Sequence, residues 1–140
     1  MSPALVVFCR EYQQLSATRL EVLRDIYAPN IRFQDPAHHI EGIESLVAYF
    51  DALLSNVTHC RFDIEQVMEQ GQDAFVRWHM TFAHPRLNGG RDVAIPGMSH
   101  LQFAEQITAH RDYFDMGAML YEQVPVLGSI IKTLKRRLAQ

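Results

Sequence analysis

Acidic, histidine and tyrosine side chains in three segments could carry out proton transfer. Asp35 ends the alternating stretch 31–35, so its carboxylate shares a face with Ile31 and Phe33. Apolar surroundings raise the pKa of a carboxyl group toward the range that a general base needs. An Asp–Pro step such as Asp35–Pro36 is also typical of a residue that only turns the chain into a loop. The residues alone leave both interpretations open.

Two later strands carry residues that could form an acid–base pair. Alternation over 73–83 places Arg77 and His79 on one face, and in the last strand His110 and Asp112 share a face. We expect His79 and Asp112 to lie on neighbouring strands, where the carboxylate would orient the imidazole for proton transfer. The alternative is two unrelated polar side chains at a sheet edge.

The first helix contributes one polar group to an otherwise apolar stripe. The stripe consists of Leu5, Phe8, Tyr12 and Leu15, and the tyrosine hydroxyl requires a buried partner or a ligand. The seven histidines show no metal-binding spacing, and no glycine-rich phosphate loop or nucleophile elbow is present. We therefore expect neither a metal nor a cofactor.

Hydrophobic periodicity predicts an α+β fold in which helices precede a run of antiparallel strands. Pro29 is expected to stop the second helix, and Pro96–Gly97 to cause a bulge or a bend in the third long strand. The predicted elements are helices over 5–15, 20–26 and 43–54, strands over 31–35, 60–69, 73–83, 92–104 and 106–116, and a C-terminal helix over about 126–138.

Length and composition indicate one globular domain spanning 1–140, since the chain has 140 residues of which 48% are hydrophobic and 21% charged. Four of the thirteen Lys and Arg residues lie within 132–137; the other nine stand against sixteen acidic residues, for a net charge of −7. Such a body repels nucleic acid. The basic end could contact an anionic membrane or partner, or only complement a helix dipole.

The cysteine and leader patterns favour a cytoplasmic protein. Cys9 and Cys60 form no paired motif, which is typical of a reducing compartment. The apolar stretch 4–9 is too short for a signal sequence or a membrane span, so no stable membrane insertion is expected.

The stretch from Leu23 to Pro36, the helix after Gly42 and the segment His110–Asp115 resemble the nuclear transport factor two-like superfamily, in particular its SnoaL-like branch. This resemblance implies a cone over about 5–117, in which a curved antiparallel sheet and three N-terminal helices enclose a pocket. The C-terminal amphipathic helix follows the cone. The fold hosts isomerases, cyclases, hydrolases and non-catalytic binders.

Two enzymes of the superfamily provide comparisons residue by residue. Tyr12 and Asp35 match the helix tyrosine and the base of ketosteroid isomerase, whose second acid is replaced by Ser99. Arg77 and Asp112 match limonene epoxide hydrolase, in which other residues stand in place of Phe33, Asp35 and His79.

These patterns predict an enzyme that performs general acid–base chemistry of isomerase, cyclase or hydrolase type on a small lipophilic, oxygenated molecule. Asp35 or His79 would transfer the proton, Asp112 would orient His79, and Arg77 with Tyr12 would stabilise an oxyanion. The alternative is a non-catalytic ligand-binding or dimeric module. The residues expected to bind substrate are Phe33, Phe75, Ser99, Leu101, His110 and Phe114.

A pocket that contains Arg77 and His79 would leave the other face of that strand on the outside of the cone. Its residues Val76, Trp78, Met80 and Phe82 would form a large apolar patch. We therefore expect a homodimer packed through the outer sheet face, with Trp78 near its centre.

Overall fold

Six strands form one curved, unclosed sheet in the computed structural model, which describes all 140 residues. The strand order is β2-β1-β6-β5-β4-β3, and every neighbouring pair is antiparallel except β1 and β6. The strands are β1 (Tyr27–Gln34), β2 (His39–Glu41), β3 (His59–Gln70), β4 (Asp73–Ala83), β5 (Val93–Phe103) and β6 (Ile107–Phe114).

The helices lie at the ends of the chain and between the first strands. A 3-10 turn, Leu20–Val22, precedes α2, and another, Tyr121–Gln123, links α4 to α5. No helix has the length and apolar character that a membrane crossing requires. The helices are α1 (Pro3–Tyr12), α2 (Leu23–Ile26), α3 (Ile43–Ser55), α4 (Met116–Met119) and α5 (Leu127–Leu138).

The predicted α+β cone is confirmed, with a mixed sheet in place of a purely antiparallel one. Strand β1 begins at Tyr27, so Pro29 lies inside a strand instead of stopping a helix. The pairing of β1 with β6 is interrupted between Tyr27 and Arg32, so the missing N–H of Pro29 costs no ladder bond there. The short strand β2 was not predicted.

The Pro96–Gly97 step does not interrupt the sheet. Pairing of β4 with β5 continues in unbroken register through Trp78↔Gly97 and His79↔Pro96, so the strand has no bulge at this step. Gly97 has another role, because a Cβ there would lie 2.1 Å from Cη2 of Trp78. The glycine makes room for the indole ring on the inner face.

The two faces of β4 are the reverse of the prediction. Trp78 is only 1% exposed and points into the core, as do Val76, Met80 and Phe82, whereas Arg77 and His79 lie exposed on the outer face. The concave face covers the core, so burial of the large apolar side chains decides which face turns inward. Trp78 therefore cannot anchor a dimer on the outer face.

Candidate functional site

An apolar cavity of about 410 Å³ lies between the concave face of the sheet and helices α1, α3 and α4. Eighteen of its 23 lining residues are hydrophobic, and Phe33, Trp78 and Phe114 are among its aromatic walls. Exposed residues such as Leu53 and Arg86 also line it, so it reaches the surface. The volume and lining are typical of sites for small lipophilic molecules.

Asp112 of β6 presents one carboxylate oxygen to solvent-accessible space. Its Oδ1 accepts a 2.5 Å hydrogen bond from Oγ of Ser99 and a 2.6 Å bond from Nε2 of His110. Its Oδ2 accepts no hydrogen bond from the chain. Every buried side-chain polar atom in the protein has a hydrogen-bond partner, so Oδ2, which has none, is not buried. One oxygen thus anchors the carboxylate while the other stays available.

A buried chain of hydrogen bonds fixes Asp112 from behind. Nε1 of Trp78 donates to Oγ of Ser99 over 2.9 Å, and the Tyr27 hydroxyl lies 2.7 Å from Nδ1 of His110. Burial raises the pKa of Tyr27 well above its ordinary value, and the charge of Asp112 raises it further, so the hydroxyl keeps its proton. Nδ1 of His110 is thus hydrogen-bonded to Tyr27, and Nε2 donates to Asp112, because a carboxylate oxygen only accepts.

Tyr12 provides a second unpaired polar group. Its ring is 1% exposed, stacks on Phe8 at 4.7 Å between centroids and lines the cavity. Its hydroxyl has no hydrogen-bond partner in the chain. Because every fully buried side-chain polar atom has a partner, this hydroxyl is not fully buried, and the open space beside the residue is the cavity. Burial, then the nearby charge of Asp112, raises the pKa of Tyr12 well above its usual value. The hydroxyl is therefore a permanent hydrogen-bond donor for a ligand.

Cys60 lines the same cavity as a neutral thiol. Burial raises the pKa of Cys60 to about 11, so the thiolate is a minor form at neutral pH.

Asp35 lines the cavity, but both of its oxygens are engaged. Oδ1 accepts from the backbone N–H groups of Ala37 and His38 at 2.8 and 2.7 Å, and Oδ2 accepts a 2.5 Å bond from the Tyr49 hydroxyl. Nδ1 of His38 lies 3.1 Å from Oδ1. Asp35 therefore lines the cavity and also turns the chain into the following loop.

The two carboxylates lie side by side where β1 and β6 diverge. The last registered pair of these strands is Gln34↔Arg111, and the next residue on each strand is Asp35 and Asp112. A polar crevice of about 300 Å³, also lined by Arg111, reaches both carboxylates from beyond the cavity. Both carboxylates therefore line the apolar cavity and this polar crevice.

The predicted pair of His79 and Asp112 does not form. Strand β5 separates β4 from β6, and Nδ1 of His79 instead lies 2.6 Å from Oε1 of Glu65 on the outer face. Arg77 also contacts Glu65, with 3.3 Å between Nε and Oε2. Neither residue belongs to the cavity.

The residues expected to bind substrate fall into three groups. Phe33 and Phe114 line the cavity; Ser99, Leu101 and His110 are buried on the inner face without lining it. Phe75 lies on the outer face, stacked on His100 with 4.6 Å between centroids, so its assignment is wrong.

Sequence reasoning missed Tyr27, Tyr49 and Trp78 as parts of the site. The run of large apolar residues on β4 could have identified Trp78 as inward-facing, since such a face is buried first. No local pattern links Tyr27 to His110 across 83 positions. No group of three or more His, Cys, Asp or Glu side chains is arranged to hold a metal ion.

Comparisons with solved structures show the same fold in bacterial proteins. A protein proposed to be a SnoaL-like polyketide cyclase from Jannaschia sp. CCS1 superposes with a TM-score of 0.76 and 20% identity, over 89% of this chain and 96% of that one. A nuclear transport factor two-like protein of unknown function from Burkholderia pseudomallei gives 0.77 and 16%, over 90% and 100%.

A third structure, from Catenulispora acidiphila, is a hypothetical protein with a ketosteroid isomerase-like fold in complex with trimethylamine. It superposes with a TM-score of 0.75 and 15% identity, over 89% of this chain and 96% of that one. No curated protein sequence matches the chain significantly. The sequence model of the SnoaL-like domain matches residues 10–110, most of the chain, and the protein therefore belongs to the SnoaL-like family.

Proposed function

We propose that this protein is an enzyme that removes a proton from carbon next to a carbonyl group of a small lipophilic molecule. The observation that carries the proposal is that Oδ2 of Asp112 and the hydroxyl of Tyr12, both unpaired, belong to residues lining one apolar cavity. A free carboxylate oxygen is a general base, and a tyrosine hydroxyl is an oxyanion donor. Together they define the reaction class.

The proposed step moves one proton and one electron pair. Oδ2 of Asp112 takes the proton from carbon, the C–H electron pair forms the enolate double bond, and the carbonyl π electrons move to oxygen. Tyr12 donates its hydrogen bond to that oxygen, and the apolar walls strengthen this interaction by excluding water. In a β,γ-unsaturated ketone the electrons extend over the adjacent double bond, and Asp112 returns the proton to the γ-carbon, which completes an isomerisation. In a substrate with a second carbonyl the enolate carbon attacks that carbonyl carbon, and the alkoxide formed takes the proton from Asp112 as the ring closes.

Asp112 thus replaces Asp35 and His79 as the proposed base. Both oxygens of Asp35 are already bound by hydrogen-bond donors, and His79 lies outside the cavity. Asp35 instead supports the cavity wall through Tyr49. The structural relatives agree with this chemistry, since one is a proposed polyketide cyclase and another has a ketosteroid isomerase-like fold.

Deuterium exchange into simple ketones tests the proposal, because it needs only the proton-removal step and not the natural substrate. Cyclic and aromatic ketones are incubated with the protein in D2O, and the loss of their α-proton signals is followed by NMR. The wild-type protein should accelerate exchange for part of the panel. Asp112→Asn should reduce the rate by about 10²–10⁴-fold, the usual contribution of a general base. Asp63→Asn, an exposed carboxylate on the outer face, is the matched control.

A second measurement separates catalysis from binding. Displacement of an apolar fluorescent dye reports occupancy of the cavity, and Asp112→Asn should retain it. A wild-type protein that binds ketones but exchanges none of them would favour the non-catalytic ligand-binding alternative.

We also propose that the protein forms a homodimer through the outer sheet face. Trp78 is not part of this interface, because it lies on the inner face. Phe75, Met98 and Tyr113 are 46%, 40% and 50% exposed on the outer face. Met98 pairs with Arg77 on one side and with Tyr113 on the other, so the apolar groups extend over adjacent strands. Sedimentation should show a dimer that Tyr113→Glu dissociates; a monomeric wild-type protein at micromolar concentration would contradict it.

A further inference from the structure

Helix α5 presents an apolar stripe to solvent. Leu127, Ile130, Leu134 and Leu138 recur at intervals of three and four, so they share one side of the helix. Their exposed fractions are 40%, 52%, 58% and 88%. A helix that belonged only to the cone would turn this stripe toward the core.

Helix α5 is attached to the rest of the protein by residues outside the apolar stripe, which leaves the stripe exposed. Gly128 is buried against the chain before the helix, where a Cβ would lie 2.5 Å from the carbonyl oxygen of Glu122. Nζ of Lys135 lies 3.0 Å from Oδ2 of Asp115 and 2.9 Å from Oε2 of Glu122. These contacts fix α5 to the segment 115–123 by a side that lies next to the stripe and does not include it.

The remaining cations of α5 are free. Lys132, Arg136 and Arg137 make no ion pair, and the helix contains no acidic residue. Arg137 lies beside the apolar stripe, whereas Lys132 and Arg136 lie on the opposite, polar side of the helix. An exposed apolar stripe backed by an unpaired cationic face is the pattern of a helix that lies in the plane of an anionic membrane interface.

Helix α5 is also attached next to the cavity. The segment to which it is fixed contains Met116, Met119 and Leu120, all of which line the cavity. A surface that bound α5 would therefore lie near the cavity wall that this segment forms.

We propose that α5 docks this protein on an anionic lipid bilayer and holds the cavity wall formed by 116–120 near the membrane surface, from which a lipophilic substrate enters. The substrate clause rests on the proposed function, whereas the docking of α5 stands on its own contacts and charges. The binding is reversible, because four aliphatic side chains bury too little area to anchor a protein without the added attraction of the cations.

A bilayer is a better partner for the apolar stripe of α5 than a second copy of the chain. A twelve-residue helix is about 18 Å long and about 10 Å wide, so its stripe covers about 200 Å². A stable dimer needs about 800 Å² from each partner. Two copies of α5 would also bring only cations together, since neither helix contains an acid to neutralise them.

Vesicle sedimentation with the full chain tests the proposal. The probes are vesicles of phosphatidylcholine alone and vesicles in which part of the phosphatidylcholine is replaced by phosphatidylglycerol. The wild-type protein should sediment with the anionic vesicles at low salt, and salt should release it. Removing three cations with Lys132→Gln, Arg136→Gln and Arg137→Gln should weaken binding about 100-fold, since each contributes a factor of about five. Ile130→Glu with Leu134→Glu should abolish it.

The control variants remove the same number of cations, or an exposed apolar side chain, from other parts of the protein. Arg10→Gln, Arg61→Gln and Arg91→Gln together, and Val6→Glu alone, should leave vesicle binding unchanged, since all four residues are exposed outside α5. Absence of wild-type binding, or binding that survives both α5 variants, would overturn the proposal. So would a change in the sedimentation coefficient of lipid-free protein caused by Leu134→Glu, which would identify a protein interface. None of these readouts involves Asp112, so they can fail independently of ketone exchange.

Discussion

His110 and Asp112 lie two residues apart on the inner face of β6 and are joined by a 2.6 Å hydrogen bond from Nε2 to Oδ1. Alternation along a strand normally separates such side chains by about 7 Å at the backbone, so the long imidazole bridges the gap. This bond leaves Oδ2 of Asp112 as the accessible oxygen. The histidine that orients the proposed base therefore comes from the same strand.

Substitution of His110 should slow ketone exchange, whereas substitution of His79 should not. His110→Leu removes the donor to Oδ1, and the carboxylate can then rotate away from its productive orientation. His110→Gln should retain more of the rate, because its amide nitrogen can approach the position of Nε2. His79→Gln is the control, since His79 contacts only Glu65 outside the cavity. Equal rates for His110→Leu and the wild type would show that Asp112 needs no orienting group.

Two tyrosine substitutions should differ in their effect on the free energy of unfolding. Tyr27→Phe leaves Nδ1 of His110 buried without its hydrogen-bond partner, which should lower the free energy of unfolding by about 1–3 kcal/mol. Tyr12→Phe removes a hydroxyl that is bonded to nothing in the chain and should not lower it. Urea denaturation measures both. A loss of stability in Tyr12→Phe comparable to that in Tyr27→Phe would contradict this account of the Tyr12 hydroxyl.

Tyr12→Phe should nevertheless impair the reaction. Loss of one oxyanion donor typically slows a reaction by about 10²–10³-fold. We expect the exchange rate of the most responsive ketone to fall by this factor, with dye binding unchanged. An unaffected rate would remove Tyr12 from the proposed mechanism.

Gly97→Ala should destabilise the protein by about 1–3 kcal/mol, the usual cost of overpacking. The added Cβ would lie 2.1 Å from the Trp78 ring, which must then shift and lose its bond to Ser99. The double variant Gly97→Ala with Trp78→Leu supplies the control, since the smaller side chain leaves room for the methyl group. Chemical denaturation should show that the two effects are less than additive. If the free-energy effects of the two substitutions simply add, the absence of a side chain at Gly97 does not serve to accommodate the Trp78 ring.

Acidification should loosen the attachment of α5. The hydrogen bond from Lys135, together with the N–H of Ala118, lowers the pKa of Asp115 below its ordinary value. Because the folded-state pKa is the lower one, this contact stabilises the protein above the ordinary pKa and is lost as the pH falls through the lowered one, below about pH 4. NMR relaxation of 127–138 should report increased mobility there. In Lys135→Gln the segment should be mobile already at neutral pH.

The patterns of single elements were readable from the sequence because they depend on neighbouring residues. The stripe of α3, the long strands and the C-terminal helix follow from periodicities of 3.6 and 2.0. The alternation of Trp78 with His79 was equally clear, but period alone does not say which face is concave. The size of the apolar side chains on the face of Trp78 was the signal that places this face against the core, since large apolar residues are buried first.

The sequence by itself determined the fold class, the family and the candidacy of Tyr12, Asp35 and Asp112, since each depends on residue type and local pattern. Only the tertiary structure decided which of these groups has a free atom. Tyr49 and two backbone N–H groups occupy Asp35, whereas Ser99 and His110 occupy one oxygen of Asp112 and leave the other. The physical reason is that a hydrogen-bond partner is set by proximity in space, and strand order and register establish that proximity only after the chain has folded.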